Sequence, residues 1–148
     1  MANTICLNDV LDGISIKLNE VFGKTYTIYT NNIEQGFSTP CFFIKILPES
    51  RSKKLGNRYY NETSFVIHVF LENATVEELN DISETLYQTL EVITLVSGDM
   101  IRGNNMKKEI NDDVLEFFID YNYFTYKEVE KVDAMETIEV NGEVKKNA

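Results

Sequence analysis

His68 is the single histidine of the chain, set in the run SFVIHVFL. General acid or base work by an imidazole needs a partner that fixes its tautomer. No carboxylate or cysteine lies beside His68 in sequence, so it reads as a structural residue on a sheet face shared with Ser64, Val66 and Phe70. The two cysteines, Cys6 and Cys41, are far apart and form no CxxC pair. They supply neither a disulfide framework nor a zinc site, and both read as buried small apolar residues in a reducing compartment. Asp112 with Asp113, and Glu77 with Glu78, are the adjacent carboxylates that could hold a hard metal or divide a proton. Neighbouring residues do not converge on one point, so these pairs read as a turn and a helix start. The glycines form no GxxxxGK, GxGxxG or GxSxG, and no HExxH occurs. The expectation is therefore no catalytic residue, no cofactor and no metal.

One charge feature remains. Between Lys45 and Arg58 five cations face one anion, a local +4 in a chain of net charge -10. Its centre is Arg51, Lys53, Lys54 and Arg58 in PESRSKKLGNR. Two readings stand side by side: a solvated loop, or a cationic knob that docks on an acidic surface of a neighbouring copy or a partner. No aromatic residues interleave with Arg51, Lys53 and Lys54, and the overall charge opposes wrapping a phosphate backbone, so sequence-specific nucleic-acid binding is not expected.

The elements that carry these residues follow from periodicity. Leu7, Val10, Leu11, Ile14, Leu18, Val21 and Phe22 form the stripe of an amphipathic helix, and Gly23 supplies its stop. Residues 25–30, rich in Thr and Tyr, read as a strand, followed by a polar loop through Asn31, Asn32, Gly36 and Pro40. Residues 41–47 and 58–72 read as two strands of a hairpin, with Phe65, Ile67, Val69 and Leu71 on one face and the basic segment as the connecting loop. Thr75 and Glu78 have the spacing of a capping box. The helix that they open carries Val76, Leu79, Ile82, Leu86, Tyr87, Leu90 and Ile93 and is expected to end near Gly98. Residues 100–106 are a weaker strand, Asn111 to Asp113 a turn, and the last clear strand runs over residues 114–127.

With 148 residues the chain has the length of one domain with one core. The order predicts an α+β fold: a twisted antiparallel sheet with two amphipathic helices packed on one face. Residues 1–128 form that domain, and residues 129–148 form a C-terminal arm with a hairpin signal at Ile138, Val140, Asn141-Gly142 and Val144. The other sheet face keeps Tyr60, Val66, His68, Phe70, Phe118 and Phe124. That is apolar enough to call for self-association through Val66, Phe70, Phe118 and Phe124. No run approaches the roughly 18 apolar residues of a membrane span, and no leader pattern opens the chain, so a soluble cytosolic protein is expected.

Taken together, LNDVLDGISIKLNEVFG, YTNNIEQGFSTPCFFIKILP, RYYNETSFVIHVF, ELNDISETLYQTLE and DDVLEFFIDYNYF resemble tail-terminator (tail-completion) proteins. These belong to long-tailed bacteriophages and to contractile phage-tail-like particles of Gram-positive bacteria. The resemblance covers residues 5–127 and rests on element order and on GFSTPCFFI followed by the RYY strand. It implies a tail-terminator-like α+β subunit in a hexameric ring that caps the head-proximal end of the tail tube, stops tail polymerisation and joins the neck. In a contractile tail the ring also meets the sheath. The implied partners are further copies of the chain, the tail tube protein, the tail sheath protein and a neck or head-tail connector protein, with no membrane. The implied ring leaves room for DNA to pass without sequence-specific contact. Such a virion assembly protein works in the host bacterial cytoplasm and ends in the tail, with no cofactor and no enzymatic role. On this reading Arg51, Lys53, Lys54 and Arg58 dock a partner, and the arm residues Ile138, Val140 and Val144 add to a neighbouring sheet edge.

Two other classes fit the sequence less well. An acidic DNA mimic would use the net charge of -10, but the +4 segment interrupts any phosphate-like array. A small enzyme would have to share its site between subunits.

Overall fold

The computed structural model describes residues 5–30 and 38–127. Two helices, α1 (Leu7–Phe22) and α2 (Val76–Thr89), accompany seven strands: β1 (Thr27–Tyr29), β2 (Cys41–Ile46), β3 (Ser50–Lys53), β4 (Arg58–Phe70), β5 (Val92–Thr94), β6 (Met100–Asn111) and β7 (Val114–Tyr126). The sheet order is β1-β2-β4-β7-β6-β5, with β3 paired to β4 beside this path. The fold is α+β, as its alternation of patterns requires. No helix among the described residues is long and apolar enough to cross a membrane.

Alternation along the two long central strands builds the core. Phe65, Ile67 and Val69 of β4 stand opposite Ile119, Phe117 and Leu115 of β7, and all six are fully buried. Phe42 and Ile44 extend the same face onto β2. Val10, Ile14 and Leu18 of α1 and Leu79 and Leu86 of α2 cover it, so both helices lie on one face. Each large apolar side chain buried in this way contributes about 1.5–3 kcal/mol. Gly23 ends α1 with a φ of 72°, in the left-handed region that side chains avoid. At α2 the capping box forms: the Thr75 hydroxyl accepts the Glu78 N–H at 3.2 Å, and Glu78 Oε1 accepts the Thr75 N–H at 3.1 Å.

Several expectations are corrected. The sheet is mixed, because β1 pairs with β2 in parallel, Thr27 to Cys41 through Tyr29 to Phe43. The connection over residues 30–40 is long enough for the chain to return in the same direction. Thr25 belongs to a 3-10 turn, Gly23–Thr25, rather than to a strand. Helix α2 stops at Leu90, well before Gly98, and β5 follows at once, with Ile93 buried as a strand residue opposite Ile101. Gly98 sits instead in the turn between β5 and β6, donating its N–H to the Leu95 carbonyl. The strand expected over residues 100–106 runs on to Asn111, across an irregularity in register between Asn104 and Lys107.

The basic segment is not a loop. β3 pairs antiparallel with the first part of β4, Ser50 opposite Glu62 and Lys53 opposite Tyr59, along the edge that β2 occupies further on. Pro48, which has no N–H to donate, falls in the interruption between β2 and β3. Asp112 and Asp113, with φ of 48° and 64°, make the two-residue turn between β6 and β7. Two positive φ values are what a type I′ hairpin turn requires.

Candidate assembly surfaces

The β3–β4 hairpin projects the four cations in two directions. Arg51, opposite Asn61, points to the helix side and donates from Nε to Asn61 Oδ1, while Lys53 is exposed. Lys54 and Arg58 lie on the opposite face. The Lys54 ammonium is 5.9 Å from the Tyr60 ring centre, and the Arg58 guanidinium is 4.6 Å over Phe124. The aromatic platform missing from the linear sequence is thus supplied by β4 and by β7 across the sheet. Cation–π contacts of this kind hold the charged heads in place.

The hairpin tip is firmly anchored. The Lys54 N–H bonds the Arg58 carbonyl at 2.7 Å, the Asn57 side-chain amide donates to the Lys127 carbonyl at 2.8 Å, and the Lys127 N–H returns to the Asn57 carbonyl at 2.9 Å. Leu55, at the apex, is 89% exposed.

The helix-free sheet face is more tightly packed than strand alternation predicts. Val66 is only 4% exposed, a correction to its place among the exposed residues of that face, because it stands between Lys45 and Phe118 in the ladder. Phe118 is half-buried, with the Lys107 ammonium 5.0 Å from its ring centre. Phe70 is half-buried too, and Phe124 is 42% exposed. Phe124 therefore carries the most accessible apolar surface of the four. The arm residues Ile138, Val140 and Val144, like the boundary at 128/129, lie outside the described residues.

His68 stacks with Phe43 and Phe70 on this face, at centroid distances of 5.8 and 6.2 Å. The register of β4 with β7 also brings it a carboxylate that its sequence neighbours lack: Nδ1 lies 3.6 Å from Glu116 Oε2. Burial lowers the imidazole pKa below its ordinary value, Glu116 raises it, and Lys45 adds to the lowering. The burial effect prevails, so neutral His68 is favoured near pH 7. Cys41 is buried, and that burial raises its thiol pKa, whereas Cys6 is exposed, contrary to expectation. Position explains it: Cys6 caps the start of α1, where its N–H bonds Asp9 Oδ2 at 3.0 Å. Among the described residues no three His, Cys, Asp or Glu side chains converge as a metal site would need.

At the other end of β4 lies a cleft of about 370 Å³. Tyr26, Pro40, Leu71 and Ile82 give it apolar walls, and Glu72, Glu78 and Asp81 give it carboxylates. The Tyr26 phenol is held above its ordinary pKa by burial and then by the negative charge of Glu78. Four separate chain segments meet here, which no single stretch of sequence announces.

The α+β fold thus carries a charged, anchored hairpin at one end of β4 and an acidic cleft at the other. Residues 9–133 match the family described as phage tail terminator protein. The chain belongs to that family. A comparison with curated protein sequences finds no match. Among solved structures, a chain from the virion of a native gene transfer agent particle is similar in fold, with a TM-score of 0.51 and 15% identity over 81% of this chain and 96% of that one.

Proposed function

We propose that the protein assembles as a six-membered ring on the head-proximal end of a tail tube, stops its growth and forms the joint to the neck, with sheath contact where the tail is contractile. The observation that carries this reading is the family match across residues 9–133, which spans nearly all of the described fold. The half-buried apolar face around Phe118 and Phe124 suits burial between copies or against the tube. The role is structural and non-enzymatic, with docking surfaces in place of a reaction centre. Residues beyond 128 serve as an arm that adds to a sheet edge of a neighbour.

The test is tube growth. Purified protein added to polymerising tail tube protein should cap tubes, with six-fold density at one end in electron micrographs and a shortened length distribution. Particles assembled without it should carry overlong tubes. Unchanged tube lengths at saturating protein would overturn the reading.

A further inference from the structure

We propose that neighbouring subunits join head to tail, the Lys53–Lys54–Leu55 tip of one copy entering the acidic cleft of the next. The contact rests on the ring reading and specifies its contacting surfaces. Two properties of the tip match two of the cleft. Leu55 presents an exposed apolar side chain flanked by cations, and the cleft offers apolar walls at Tyr26, Leu71 and Ile82 with carboxylates at Glu72 and Asp81. Its volume falls within the roughly 300–1,000 Å³ of small-ligand pockets, ample for one aliphatic side chain.

Position makes the match intermolecular. The tip adjoins the start of β4, and Leu71 and Glu72 follow its end, thirteen residues on. At about 3.3 Å per residue the two lie about 40 Å apart, so a subunit does not fill its own cleft. A surface at one end that fits a different surface at the other is a heterologous interface, the kind that closes into rings. The bonds that fix the tip to Arg58 and Lys127 reduce the ordering cost of insertion. Opposite charges orient the approach.

A charge-swap experiment tests this on the full-length protein, with assembly read by native mass spectrometry and sedimentation, alone and with tail tubes. Lys53→Glu with Lys54→Glu should raise the half-assembly concentration about tenfold, and Glu72→Lys with Asp81→Lys should do the same. The four changes together should restore assembly, while each variant keeps the wild-type melting temperature. In a Cys6→Ser background, Leu55→Cys with Ile82→Cys should form disulfides between copies, which requires Cα atoms within roughly 4.4–6.8 Å. If wild-type protein assembles and the reversals leave it unchanged, or the fourfold swap fails to rescue and no crosslink forms, this contact is wrong and the ring reading stands. Wild-type protein that stays monomeric even with tubes overturns both.

Discussion

The hydroxyl of Tyr121, in the middle of β7, donates a 2.6 Å hydrogen bond to the carbonyl oxygen of Leu90 at the end of α2. A helix end leaves its last carbonyls without intrahelical partners, and burial makes that costly. Tyr121 is fully buried, which raises its phenol pKa far above the ordinary value, so the proton is permanently available for this bond. Tyr121→Phe keeps the ring and orphans the carbonyl. The expected loss is about 1–3 kcal/mol in urea unfolding, with secondary structure retained.

The same corner depends on Gly103. Its N–H bonds the Glu91 carbonyl at 2.7 Å, and an added Cβ would stand 2.5 Å from Ile119 Cδ1 and 3.0 Å from the Leu90 carbonyl oxygen. Gly103→Ala should cost about 1–3 kcal/mol through overpacking. Ile119→Val in the same chain, which removes the Cδ1 atom, should recover part of the loss in thermal unfolding.

These two residues show where the sequence stops being legible. The α1 stripe and the Thr75–Glu78 cap are local patterns, and both elements form where the pattern places them. Ile93 fits the helical period of α2 equally well, so nothing local separates β5 from the helix. The separation comes from Tyr121 and Gly103, which hold Leu90 and Glu91 from distant strands. Polar β3 and the charged second half of β6 have weak strand propensity and are strands because β4 and β7 offer them edges. The basic hairpin was legible as charge but not as geometry. The acidic cleft and the Glu116 partner of His68 depend on register and were not legible at all.

Arg51 and the two lysines should separate on mutation. Asn61 is buried, with its amide donating to the Tyr123 carbonyl and to Thr125 Oγ1, and its carbonyl oxygen receives Arg51 Nε. Arg51→Ala therefore leaves a buried acceptor short and should cost about 1–3 kcal/mol. Lys53 is exposed, so Lys53→Ala should stay within about 0.5 kcal/mol of wild type. Chemical denaturation of the two single variants decides this.

His68 gives the fold a pH dependence of definite sign. Its folded pKa lies below the unfolded value of about 6.5, so below that pH the unfolded chain binds more protons than the folded one. Stability is complete above about pH 6.5 and falls as the pH drops towards the folded pKa. His68→Gln removes this titration, so the wild-type-minus-variant difference in urea midpoint should fall as the pH drops through this window. Glu116→Gln removes a charge that favours the imidazolium and should steepen the loss.

Among the described residues β7 is the last strand, Thr125 is the last buried residue and Lys127 closes onto Asn57. A chain cut before Glu136 keeps every one of these contacts. Its melting temperature as an isolated subunit should therefore match that of the full chain. On the proposed reading an arm carrying Ile138, Val140 and Val144 contributes only in the assembly, so the same truncation should lower ring stability or sheath attachment. The comparison is differential scanning calorimetry of monomeric protein against dissociation of assembled rings by dilution. A truncated chain that unfolds at a lower temperature while still monomeric would make residues 136–148 part of the folding unit and move the domain boundary past 128.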